Sequence, residues 1–229
     1  MTQHPLKLLS SMAAREVLAE LVRGYTARTG QAVAAEAAGG VEVANRILGG
    51  EHADVVVLSD TAIDKLIAAS QLRPGRVDLV RSGIAMAVRS GAPRPDIGTE
   101  AAVKAAVAHA ASLSYSTGPS GVYLEKLFAR WGILESIRSR IVVPPPGIPV
   151  GSLVAGGQAA LGFQQLSELL NVAGIEVLGP LPAAIQSITT FSAGIGVRCE
   201  APQLAADLLA YMRLPAAAAV MQRYGMEPA

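Results

Sequence analysis

Short apolar runs alternate along the chain with stretches in which apolar residues return every three or four positions. That is the spacing of a buried strand followed by an amphipathic helix. Residues 6–9 read as a strand, and 13–25 as a helix with Val17, Leu18, Leu21 and Val22 on one face. A strand over 31–37 leads to a helix over 41–48, stopped by Gly49-Gly50. The run 54–58, apolar from Val55 onward, predicts a strand covered on both faces, of the kind found in parallel sheets. Ser59 or Asp60 then caps a helix reaching Ala69. Further strands are predicted over 112–115, 141–143, 160–163 and 175–178, with helices over 100–110, 122–131, 152–156, 201–211 and 215–224. Prolines 144–146 cannot continue a ladder and end the strand at 143. Two longer β-like runs stand apart: 77–89, broken at Arg81-Ser82-Gly83, and 185–197.

Alternating strands and helices imply right-handed βαβ units and an open, mostly parallel sheet. The two long runs bracket a middle section with its own βα alternation. The pattern therefore predicts two α/β lobes, one from residues 1–80 and 191–229, the other from 81–190, with a ligand cleft between them. The chain would cross near 79–82 and return near 189–192. A single doubly wound sheet is the alternative.

Four junctions pass through small residues straight into a helix: LKLLSS, VAAEAAGG, SLSYSTGPSG and IVVPPPGIPVG. A helix start presents unpaired N–H groups and a partial positive charge. Small residues let a ligand approach that backbone. Several such turns can bind a small anion. The candidate ligand residues are Ser10 and Ser11, then Gly39, Gly40 and Val41, then Thr117, Ser120 and Gly121. Each has a plainer role: the serines and threonine as helix caps, the glycines as tight turns. Gln164 and Gln165 follow an apolar strand, and one of the two is expected to face the ligand, Gln164 ahead of Gln165. Tyr115 ends a strand and is either core or pocket. Glu42, in the first turn of its helix, suits the macrodipole.

Composition narrows the field. In 229 residues, 51% are hydrophobic, 4% aromatic, and the formal charge is +1. No basic run suggests nucleic acid. Mean hydropathy is +0.39, yet no stretch of about 18 apolar residues predicts a membrane span. The first residues, MTQHPLKLLSS, lack a charged and apolar leader pattern, so a cytoplasmic location is expected as written, and a periplasmic one if a leader was removed. The lone Cys199 reads as a core residue. His4, His52 and His109 are scattered, so no metal site is expected, and no cofactor motif or Ser/His/Asp arrangement is seen.

The order of segments resembles the type 2 periplasmic solute-binding fold, most nearly its molybdate-binding branch. Strand–Ser11–helix resembles that family's first ligand loop, and GGVEVANRILGGEHADVVVLSD its second loop and third strand. TGPSGVYLEKLFARWGI resembles the third loop, and AALGFQQLSELL the late strand carrying another ligand residue. The resemblance covers nearly the whole chain. It departs where molybdate binders have serines in the second loop, here Gly39-Gly40-Val41, and where a tyrosine is replaced by Gln164-Gln165. The GFQQLSELL and VRSG runs are similar to a subgroup that contains aconitate isomerase.

A tetrahedral oxyanion wants many short neutral donors. Fewer hydroxyls, longer amides and Arg81 with Ser82 at the crossing favour an organic di- or tricarboxylate. Two functions are then expected: an isomerase moving a proton along an unsaturated polycarboxylate, or the receptor of an ABC importer, with the permease as partner in the second case only. If Arg81 grips a carboxylate, Arg81→Ala is expected to weaken carboxylate binding by about 1.5–3 kcal/mol, measured by titration calorimetry. Unchanged affinity removes Arg81 from the site.

Overall fold

A computed structural model describes residues 5–145 and 147–229. His4 and Pro146 therefore lie outside the described residues. In chain order the elements are β1 (Leu6–Ser11), α1 (Arg15–Thr29), β2 (Val33–Ala38), α2 (Gly40–Leu48), β3 (Val55–Ser59), α3 (Asp60–Ala68), β4 (Val77–Arg89) and α4 (Glu100–His109). There follow β5 (Leu113–Tyr115), α5 (Pro119–Arg130), α6 (Leu134–Ile137), α7 (Val150–Ala155), β6 (Leu161–Gln165), α8 (Leu166–Leu169) and β7 (Ile175–Pro180). The chain closes with β8 (Ile188–Ile195), α9 (Pro202–Met212), α10 (Pro215–Arg223) and β9 (Glu227–Pro228). It divides into two compact units. The first runs to Arg81 and resumes at Thr190–Ala229; the second is Ser82–Thr189.

In the first unit the strands lie in the order β2-β1-β3-β8. β1 pairs in parallel with β2 and β3, while β8 runs antiparallel to β3, with Val57 opposite Ala193. Strand alternation sends successive side chains to opposite faces. Leu6 and Leu8 meet α1, α9 and α10 in one core cluster; Leu9, Val56 and Leu58 meet α2 and α3 in another. Every residue of β3 is buried, and the four before Ser59 are apolar. Cys199 belongs to the first cluster, and burial pushes its thiol pKa up.

In the second unit β5 and β6 pair in parallel, Tyr115 beside Phe163. β4 pairs antiparallel with β6, Ile84 opposite Gln165, and with β7. One face of these strands packs Ile84, Met86 and Phe163 against Leu124, Leu127 and Phe128 of α5. On the other face Ala85 and Ala87 meet Leu169 of α8. Three rings bracket Phe128: Tyr115 at 6.0 Å, Trp131 at 5.8 Å and Phe163 at 6.0 Å between centroids.

Several expectations are corrected. The sheet pairing is mixed rather than mostly parallel, because both long runs pair antiparallel. β4 is not broken at Arg81-Ser82-Gly83: Arg81 points to solvent and Ser82 inward, which is ordinary strand alternation. Residues 141–143 form only an isolated bridge, Leu113 with Ile141, since Pro144 and Pro145 follow at once. Ser59 occupies the cap position of α3 without a capping bond; instead Asp60 Oδ1 accepts from Thr61 N–H at 2.6 Å. α5 starts at Pro119, whose fixed φ and missing N–H suit a first helical position.

Phe128→Ala removes the ring that three others touch. The variant is expected to lose about 3–5 kcal/mol, read from the urea midpoint.

Candidate functional site

In the first unit β1 ends in two serines that face opposite ways. Ser10 lies on the α1 side and Ser11 on the α2 side, and both are buried. Ser11 stands at the cap position of a short 3-10 turn (Met12–Ala14), yet its hydroxyl makes no capping bond. Its Oγ is buried with no hydrogen-bond partner. Leaving such a group unpaired costs about 1–3 kcal/mol. A β-carbon built on Gly40 would lie 3.6 Å from Ser11 Cβ, so the Ser11 side chain sits against the start of α2. That start carries Gly39, Gly40 and Val41 and has no side-chain cap. Val41 is exposed. One orphan hydroxyl thus lies beside uncapped backbone N–H groups, a pairing suited to one anionic oxygen group.

In the second unit β5 runs into α5 through Ser116, Thr117 and Gly118. The Ser116 and Ser120 hydroxyls bond each other at 2.8 Å, which ties the turn. A β-carbon on Gly121 would fall 1.6 Å from the Ser116 carbonyl oxygen, so only glycine permits this approach. Beside the turn lies a pocket of about 300 Å³ lined by Tyr115, Ser116, Thr117, Gly121, Val122, Glu125, Arg138, Ile141 and Val143. Tyr115 Oη donates to Glu125 Oε1 at 3.1 Å. Burial, reinforced by the Glu125 charge, pushes the Tyr115 pKa up to about 12, so the phenol stays a donor. Arg138 donates to Glu135 at 2.6 Å and 3.1 Å, and it is exposed.

The sequence candidates of this unit therefore separate. Thr117 and Gly121 line the pocket, whereas the Ser120 hydroxyl is engaged with Ser116. Tyr115 is both core and pocket: its ring packs on Phe128 and its hydroxyl reaches the opening. Glu125 and Arg138 were not anticipated, because on α5 and in the short turn after α6 charged residues read as a solvated face.

Ser82, Gln164 and Gln165 each bury an oxygen without a partner: Ser82 Oγ and the two amide Oε1 atoms. The amide nitrogens are engaged, Gln164 with Glu168 at 2.7 Å and Gln165 with Thr189 at 2.9 Å. The two glutamines lie on opposite faces of β6. Gln164 is opposite Ala85, on the α8 side; Gln165 is opposite Ile84, on the side of Tyr115, Phe163 and Ser82. Gln165, not only Gln164, thus belongs among the candidates. Arg81 falls in the first unit, exposed, its side chain without a hydrogen bond or ion pair among the described residues; the Ser192 hydroxyl and Arg76 lower the Asp78 carboxyl, and the Arg81 charge adds to them.

Among the described residues no three His, Cys, Asp or Glu side chains gather as a metal site. His52 faces Asp54 at 3.4 Å, and His109 Nδ1 meets the Ala105 carbonyl. No single helix among them is long and apolar enough to cross a membrane.

Two α/β units whose strands end in glycine- and hydroxyl-rich turns define a solute-binding fold. A family model described as bacterial extracellular solute-binding protein matches residues 6–227, and the chain belongs to that family. It is 39% identical over 232 residues to a protein named aconitate isomerase from Pseudomonas sp., covering 97% of this chain and 87% of that one. The periplasmic molybdate-binding protein of Azotobacter vinelandii shares the fold with a TM-score of 0.80 at 22% identity, over 96% of this chain and 98% of that one. The sulfate-binding protein SubI of Mycobacterium tuberculosis H37Rv does so at 0.80 and 11% identity, over 99% and 87%.

Gly121→Ala should force the 116–121 turn open. The expected result is a loss of stability of about 1–3 kcal/mol in chemical denaturation, with amide shifts confined to this turn by NMR.

Proposed function

We propose that this protein binds a small organic di- or tricarboxylate and isomerises it, in the manner of an aconitate isomerase. The observation that carries the anion reading is the buried, unpaired Ser11 hydroxyl beside the uncapped start of α2. That cradle supplies one hydroxyl and backbone donors to a single oxygen group. It lacks the close ring of hydroxyls a bare tetrahedral oxyanion wants, because the second loop is Gly39-Gly40-Val41. The 39% identical relative named aconitate isomerase supports the enzymatic half of the reading.

The chemistry is a proton transfer. A hydrogen α to one carboxylate and allylic to the double bond leaves, and a proton returns at the other end of the allylic system. Carboxylates held on helix starts and cationic side chains would offset the charge that develops. The turns of Ser11–Gly40 and Thr117–Gly121, with Ser10, Val41, Ser82, Ser120, Arg81 and the Gln164–Gln165 pair, are the proposed ligand contacts.

The family description favours a second reading, the receptor of an ABC importer, with an organic anion or molybdate as cargo and a permease as partner. On that reading the protein works outside the cytoplasm.

A thermal-shift panel of molybdate, sulfate, citrate, cis-aconitate and trans-aconitate separates a carboxylate ligand from an inorganic oxyanion. A ligand that binds only the folded state adds about 2.7 kcal/mol at a hundredfold excess over Kd. Melting is expected to rise with the polycarboxylates and to stay unchanged with molybdate and sulfate. A rise with molybdate alone overturns the carboxylate reading.

A further inference from the structure

The isomerase reading needs a group that removes a proton from carbon and gives it back, and on that reading we propose that Glu125 is this group, positioned by Tyr115, in the pocket beside the 116–121 turn.

The second unit, Ser82–Thr189, holds six carboxylates. Five are committed elsewhere. Asp96 accepts from Gly98 N–H in a loop, and Glu100 takes Arg130 and the Trp131 indole N–H. Glu135 is held by Arg138, Glu168 by Gln164, and Glu176 by Arg94. Among the described residues Glu125 lines the pocket without a direct ion pair, and Arg138 on the same lining acts on it only through its charge. Its one hydrogen bond comes from the Tyr115 hydroxyl to Oε1 at 3.1 Å. A carboxylate with a neutral donor on one oxygen keeps the lone pairs of the other for a proton. An ion pair would hold it ionised and weaken it as a base.

The tyrosine of this pair is firmly placed, and Glu125 stands exposed on the pocket wall. Tyr115 closes β5, and its ring meets the fully buried Phe128 edge-on at 65°. The phenol is thereby fixed while its hydroxyl reaches the pocket. Burial keeps that hydroxyl protonated, so it orients Glu125 and does not compete for the substrate proton. Val122 and Val143, both exposed, give the pocket apolar surface for a hydrocarbon chain. Arg138, held in place by Glu135, supplies a cation on the same lining for a substrate carboxylate.

The step balances without a co-reactant. A Glu125 oxygen lone pair takes a proton from the methylene that is allylic and α to a carboxylate. The C–H electron pair becomes the new C=C, and the old π pair moves to the far allylic carbon, delocalised onto its carboxylate. Protonated Glu125 then returns the proton to that carbon. The double bond has moved by one position, and Glu125 is an anion again.

The test uses the full chain with cis-aconitate in heavy water, followed by proton NMR. The wild type is expected to convert it and to wash deuterium into the methylene. Glu125→Gln should lower both rates by about 10²–10⁴-fold, while the thermal shift given by trans-aconitate stays within about threefold in apparent Kd. Glu125→Asp should recover part of the exchange. Tyr115→Phe should lower kcat by about tenfold with KM little changed. Wild-type exchange in Glu125→Gln overturns the assignment and leaves the isomerase reading intact. Loss of trans-aconitate binding in a folded Glu125→Gln makes the residue a ligand contact and also overturns it. A wild type that binds trans-aconitate but neither exchanges nor converts overturns the isomerase reading itself.

Discussion

Backbone N–H donors left without side-chain caps at the helix starts are the constraint on which the proposed site rests. Of the described helices, only α4 has a side-chain cap, Thr99 accepting from Ala102 N–H at 3.1 Å. The others begin at glycine, alanine, proline-led or otherwise uncapped positions. A capping serine at the start of α2 would satisfy those N–H groups from within and remove their partial charge from use. Gly39 and Gly40 instead leave them open, and the Ser11 hydroxyl stands beside them unspent. The second unit reaches a related result by other means. There the hydroxyls of Ser116 and Ser120 satisfy each other, and the close approach at Gly121 holds the turn in shape. The pocket's polarity then falls to Tyr115, Glu125 and Arg138.

Much of this was legible in the sequence, and the losses have identifiable causes. The strand over 55–58 announced itself, because burial on both faces left it four apolar residues in a row. The same uniformity hides strand direction: Val77–Arg89 and Ile188–Ile195 are apolar enough to sit beside any neighbour, and their antiparallel pairing left no mark. Arg81-Ser82-Gly83 looked like an interruption because a charged residue next to a buried serine breaks an apolar run. In a strand it is one step out and one step in. The choice between Gln164 and Gln165 depends on register, which adjacent identical residues cannot reveal. Glu125 was hidden for a different reason. Its meaning comes from Tyr115, ten positions earlier, and only the packing of α5 on β5 brings them together.

Fold and chemistry part company in this family. Proteins that bind molybdate and sulfate share the architecture at TM-scores of 0.80, so the scaffold itself is indifferent to the anion it holds. What differs is the lining of the turns. Glycine in place of second-loop hydroxyls opens room and lowers donor density, and on the proposed reading Glu125 adds a proton acceptor to the second unit's pocket. An enzyme can arise on such a receptor fold when one proton-accepting group is placed next to an activated C–H bond. No rebuilding of the core is required.

The buried thiol has a practical consequence. Cys199 is the chain's sole cysteine, it lies in the first unit's core, and its raised pKa leaves little thiolate near neutral pH. A cysteine introduced at exposed Val122, on the pocket lining, would therefore take a maleimide dye almost alone. The native chain is in effect a cysteine-free background for labelling, so a fluorophore at that position can report pocket occupancy without first redesigning the core.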